Sequence, residues 1–135
     1  RTLRLESNNR CFACGPENPI GLKLQFVDEG EYFVGRLEIR DEYQGWAGIS
    51  HGGILSTALD EAMARLLSDR GHRAITARLC IRFKQPVAVG ETVTLRARLA
   101  AVRGPLYETK AQALLSDGSV AAEAEATSMR VTDGA

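Results

Sequence analysis

The chain has 135 residues, 44% of them apolar, with 17 Lys and Arg against 17 Asp and Glu. That length suits one domain, and a formal charge of zero argues against nucleic acid or an anionic membrane as the main partner. Little net charge opposes self-association either. No apolar run approaches the roughly 20 residues of a membrane span, and no signal-peptide pattern opens the chain. Three cysteines are an odd number and no disulfide framework, so a reducing, cytoplasmic setting is expected.

Residues 1–19 are polar and turn-rich, with Asn8, Asn9, Gly15, Pro16, Asn18 and Pro19. They predict an irregular N-terminal arm ahead of a single domain over 20–135. Gly21 to Asp28 alternates, with Leu22, Leu24 and Phe26 on one face. After a turn at Asp28 to Glu31, Tyr32 to Ile39 alternates again, and the two runs predict a hairpin. Asp41 to Ser50 is a loop containing Tyr43, Gln44, Gly45 and Trp46.

A helix follows. Ser50 or His51 suits its cap, and Gly52 and Gly53 leave the first N–H groups bare at the positive end of the dipole. Such groups suit an anion or a carbonyl oxygen. From Ile54 to Leu67 most of the wheel is apolar, the pattern of a buried helix. Gly71 is a good stop. Asp60 sits in the middle, on a wheel of about 100° per residue, beside Ser56, Met63, Ala64 and Leu67. A carboxylate there is costly unless it is paired or used. Glu61, near Thr57 and Ser68, points to a more solvent-tolerant side and suits a structural role.

Beyond the helix the period falls to two. Ala77, Leu79, Ile81 and Phe83 alternate with Arg78, Cys80, Arg82 and Lys84 until Pro86. Further strands are predicted at Val93 to Leu99, Tyr107 to Leu115 and Val120 to Val131. Ala122, Ala124 and Ala126 form a small-residue face against which a helix can lie closely. About six strands with short links predict a largely antiparallel α+β sheet curved around one long helix, with leftover edge and face that favour a dimer.

These residues carry a family likeness. His51-Gly52-Gly53, Leu59-Asp60 with the acid nine residues after the His, Thr76-Ala77-Arg78 and Phe83-Lys84-Gln85-Pro86 resemble the hot-dog-fold acyl-CoA thioesterases. The branch is that of the phenylacetate-pathway (PaaI-like) thioesterases. The opening run Cys11-Phe12-Ala13-Cys14-Gly15, with Asn18-Pro19-Ile20-Gly21-Leu22, is similar to one that recurs in bacterial members. The resemblance implies hydrolysis of an acyl-CoA or acyl-carrier thioester. It implies Asp60 as general base or nucleophile and the Gly52 N–H as the group that polarises the carbonyl. Gln44, His51, Gly53 and Thr76 are implied around the substrate, with His51 positional. No cofactor is implied beyond the coenzyme A of the substrate. The implied assembly is a homodimer or a dimer of dimers with the site at the subunit interface.

Other readings stand beside this one. A non-catalytic acyl-CoA sensor or carrier would need the two glycines but not Asp60. A hydratase or dehydratase would use a His for acid–base work. Simple alternation puts Thr76 on the face of Arg78 and Cys80, so it reaches the site only through a bulge or across a subunit interface. Cys11-x-x-Cys14 invites zinc, but a closed structural site needs four ligands and a second pair is missing, so no metal is expected. Cys80 suits a small core or sheet position. Arg78, Arg82, Lys84, Arg96 and Arg98 predict a basic outer face, solvated and balanced by acids, some of it able to hold coenzyme A phosphates.

Overall fold

The computed structural model describes residues 5–132; the first residues of the arm and the last of the predicted domain lie outside them. Strands β1 (Phe26–Asp28) and β2 (Phe33–Glu38) precede a short 3-10 turn at Asp41–Tyr43 and the helix α1 (Gly52–Asp69). Then come β3 (Ala74–Phe83), β4 (Thr92–Arg103), β5 (Leu106–Leu114) and β6 (Val120–Arg130). All pairs are antiparallel, in the order β1-β2-β4-β5-β6-β3.

The helix starts and stops where local chemistry says it should. His51 is the N-cap, its backbone extended, and its Nδ1 accepts the Gly53 N–H at 2.8 Å. At the other end Gly71 sits at φ 87°. Its N–H bonds the Ser68 carbonyl, while the His72 N–H reaches that of Leu67. This is a Schellman motif, and a side chain at that φ would be strained.

The buried stripe of α1 is Leu55, Ala58, Leu59, Ala62, Met63, Leu66 and Leu67. It meets Phe33, Leu37, Val93, Leu95 and Ala97, together with Ala111, Ala113, Ala122 and Ala124, in one core. Truncating a fully buried member such as Leu59 costs about 2–5 kcal/mol. The helix touches five strands, β2 to β6. A flat sheet of that width, at about 4.8 Å per strand, is too broad for one helix about 10 Å across, so the sheet curls around it. Alanines along β6 let the helix sit close. The architecture is the expected α+β hot-dog fold.

Three sequence expectations change. The run from Gly21 to Asp28 is strand only at Phe26–Asp28. Lys23 takes a left-handed φ of 53°. The Leu22 and Leu24 N–H groups bond the carbonyls of Phe12 and Ala13 instead, so that half of the run pairs with the arm. Next, β3 begins at Ala74 and β4 runs on to Arg103. Register shifts between Thr76 and Arg78 and between Leu99 and Ala101 break the alternation there. Finally, Cys80 is a sheet residue but exposed, because it faces away from α1.

Candidate functional site

The first turn of α1 presents an open donor. Ser50 is buried, and its N–H bonds the Val87 carbonyl at 2.8 Å. The His51 N–H bonds the Tyr43 carbonyl at 2.7 Å. These bonds fix the loop that leads into the helix. Gly53 is satisfied by His51 and Ile54 by the His51 carbonyl. Among the described residues no acceptor meets the Gly52 N–H. The Phe83 ring packs against the Cα side of Gly52: a Cβ there would lie 3.3 Å from Phe83 Cζ. An N–H at a helix start beside an apolar wall is a donor of the kind that polarises a carbonyl. The His51 Nδ1 acceptor leaves the neutral ring's proton on Nε2, which makes the imidazole a cap.

Two turns further on, half-buried Asp60 accepts a 2.9 Å hydrogen bond from Thr76 Oγ1. Strand β3 makes this possible. Thr76 pairs with buried Ser128, yet Arg78 pairs with the next residue, Thr127, so Ala77 is extra. Paired residues share a face. The bulge therefore turns Thr76 to the helix side, where Leu79, Ile81 and Phe83 lie on the far side of it. Ser56 Oγ and Thr57 Oγ1 return to the Gly52 and Gly53 carbonyls at 2.9 and 2.8 Å, so neither hydroxyl competes for Asp60.

Gln44 is placed differently. Its amide nitrogen donates to the carbonyl and carboxylate of Asp41, both at 2.8 Å, and its Oε1 accepts the Gly48 N–H. The side chain braces the loop that approaches His51.

β3 is an edge strand and, among the described residues, unpaired on its outer side. On the face of Thr76, Leu79 is 38% exposed and Phe83 52%; Ile75 and its partner Met129, 43% and 48% exposed, lie on the other face.

The opposite face of the sheet is charged. Arg82, Arg96, Arg98 and Lys110 line a groove of about 400 Å³ with Glu123 and Glu125. Arg82 and Lys84 pair with Glu123. Arg96 bonds Gln112 and stacks over the Tyr32 ring. This is the balanced outer face expected, and it lies on the other side of the sheet from Asp60.

Glu61 has a different neighbourhood from Asp60. Cys11 Sγ lies 3.9 Å from its Oε2. Burial first, then the Glu61 carboxylate, pushes the Cys14 thiol up to about 12. The helix wheel puts Glu61 on a solvent-tolerant side, and the arm that meets it is about 50 residues away along the chain, beyond the reach of local periodicity. The sequence places Phe83 in a strand and in the family-like run Phe83 to Pro86; no local signal gives its contact with Gly52.

Residues 47–122, more than half of the chain, match the model of the thioesterase superfamily. No curated protein matches the chain. Among solved structures the chain is similar to RHA08564, a thioesterase superfamily protein, at 26% identity and a TM-score of 0.83. The match covers 88% of this chain and 62% of that one. It is also similar to the PaaI protein of the E. coli phenylacetic acid degradation operon, at 18% identity and a TM-score of 0.77, covering 83% of this chain and 82% of that one. A third is a hypothetical thioesterase from Streptococcus pneumoniae TIGR4 solved with coenzyme A, at 13% identity and a TM-score of 0.76, covering 83% and 88%. That protein has also been solved with an Asp→Ala and with a Thr→Ala substitution, at positions 16 residues apart.

Proposed function

This chain belongs to the thioesterase superfamily, and from that premise we propose that it hydrolyses an acyl-CoA or acyl-carrier thioester to the free acid and the thiol. The observation that carries the reading is Asp60, a carboxylate on the core helix held by Thr76. The open N–H of Gly52 on the same helix supports it.

The Gly52 N–H takes the oxyanion that develops on the thioester carbonyl. Thr76 occupies Asp60 Oδ1, which leaves Oδ2 for the reaction. As general base, Oδ2 accepts a proton from water while the water oxygen bonds the carbonyl carbon. The C–S bond then breaks, and the proton passes to the leaving thiolate. As nucleophile, Oδ2 itself bonds the carbon, expels the thiolate and forms an anhydride that water opens. Neither route requires a cofactor. The coenzyme A bound by the Streptococcus protein supports a CoA thiol as leaving group.

The reaction needs two chains. Gly52 and Asp60 are two turns apart on one helix, about 12 Å at 1.5 Å per residue. A carbonyl with its oxygen about 3 Å from the donor and its carbon about 3–3.5 Å from the nucleophile spans at most about 8 Å, short of that. Gly52 of one copy therefore works with Asp60 of another. The unpaired β3 edge, with Leu79 and Phe83 exposed, supports a homodimer formed there, with the acyl group in the slot walled by Phe83; the setting is cytoplasmic. His51 and Gly53 hold the turn, and Gln44 shapes the loop around it.

The test is thiol release from a panel of acyl-CoAs. Asp60→Asn is expected to lose at least about 100-fold in kcat, the typical contribution of a positioned acid or base. Full activity in Asp60→Asn with an unchanged melt would overturn the assignment.

A further inference from the structure

We propose that Cys11, Cys14 and Glu61 form a site for a thiolate-seeking divalent cation of the zinc class, which ties the N-terminal arm to α1. The three ligand atoms lie within 4.8 Å of one another. In a tetrahedral zinc site, with Zn–S about 2.3 Å and Zn–O about 2.1 Å, ligand atoms stand roughly 3.6 Å apart. Closing the site therefore takes side-chain movements of about 1 Å.

The arm is built to present both sulfurs. The Gly15 N–H bonds the Cys11 carbonyl at 2.8 Å, and Glu17 N–H bonds that of Asn9. A Cβ on Gly15 would sit 2.4 Å from the Cys11 nitrogen, so the turn closes only on glycine. Ala13, between the cysteines, is buried, and the Phe12 and Ala13 carbonyls are held by Leu22 and Leu24. The two thiols are thereby delivered to α1 by a fixed turn.

Charge favours the same occupant. Two thiolates and a carboxylate carry three negative charges. A dication offsets two of the three; Arg65, one turn beyond Glu61, is taken by Asp69 through Nε and Nη2 at 3.3 and 3.2 Å. Thiolate ligands select zinc or cobalt over magnesium or calcium. With Cys11 exposed and Cys14 and Glu61 half-buried, the fourth position opens to solvent and takes a water. Glu61 is free for this work because the thioester chemistry uses Asp60.

The experiment strips the full chain with chelator under reducing conditions and titrates it with cobalt, then zinc. One cobalt per chain is expected, with thiolate-to-cobalt charge-transfer bands and tetrahedral d–d bands that zinc bleaches. Zinc raises the melting temperature as saturation grows. Cys11→Ser with Cys14→Ser abolishes the bands. Glu61→Gln keeps charge transfer but weakens zinc by more than the roughly 10-fold cost of losing an outer partner. Cys80→Ser binds as wild type. In the wild-type chain, saturating zinc protects Cys11 and Cys14, and not Cys80, from alkylation. Charge-transfer bands that persist in the double variant overturn the proposal. So do cobalt without such bands, full alkylation of Cys11 and Cys14 under zinc, and a Cys11–Cys14 disulfide as the reason for protection. None of these readouts depends on thioester turnover.

Discussion

Asp60 and Glu61 are neighbours in sequence and belong to different parts of the molecule. About 100° of helix rotation separates them. Asp60 faces a bulged strand and receives one short hydrogen bond from Thr76. Glu61 faces the arm and two thiols. A helix packed by a broad apolar stripe is a rigid spacer, so it can hold two carboxylates on sides about 100° apart. What decides each carboxylate's role is the element that reaches it. A strand turned inward by one extra residue brings the Thr76 hydroxyl to Asp60. An irregular arm held by its own turn brings two thiols to Glu61.

The comparison can be broken first at Asp60. Asp60→Asn should remove at least about 100-fold of kcat while cobalt binding at Cys11, Cys14 and Glu61 stays as in wild type; loss of both would mean that the two faces are one site. The subunit edge comes next. Leu79→Lys on the exposed β3 edge is expected to give monomers by light scattering and to lose most of the hydrolysis, with zinc still bound per chain. A fully active monomer would defeat the two-chain site.

Thr76→Val sharpens the Asp60 side. A hydrogen bond to a charged group is worth about 1.5–3 kcal/mol, so kcat should fall roughly 10- to 100-fold. Thr76→Ser should restore most of it, with KM little changed. The smallest effect lies at the far end of α1. Arg70 holds Asp28 through Nε and Nη2 at 3.0 and 3.1 Å and also reaches the Gly30 carbonyl. That pair, helped by the Gly30 N–H, holds the Asp28 carboxyl below its usual range. A lowered carboxyl stabilises the fold above its unfolded pKa of about 3.9 and loses that contribution as pH falls through the lower folded value. Asp28→Asn should therefore lower the melting temperature slightly at pH 7 and flatten its acid limb. Neither activity nor metal binding should change, which marks a general stability effect apart from both faces.

Much of this was legible in the residues. The order of strands and helix, the cap near His51, the stop at Gly71 and the separation of Asp60 from Glu61 all follow from periods of 3.6 and 2 and from turn chemistry, while the resemblance implies the hot-dog fold. Each is a short-range property. The run from Gly21 alternates like a strand through Phe26, but alternation alone does not register the left-handed Lys23 that breaks it. Thr76 sat on the wrong face by simple alternation because a bulge is a two-strand event, set by how β3 meets β6. Its consequence, the bond to Asp60, was conceivable from the sequence but not decidable there.

The sequence by itself determined the helix, its two ends, the alternating strands and the presence of one acid too many on an apolar wheel. Tertiary structure decided which groups those acids meet. Phe83 against Gly52, Thr76 on Asp60 and the cysteine pair on Glu61 join positions far apart in the chain, and such contacts depend on packing between elements rather than on the local period of any one of them.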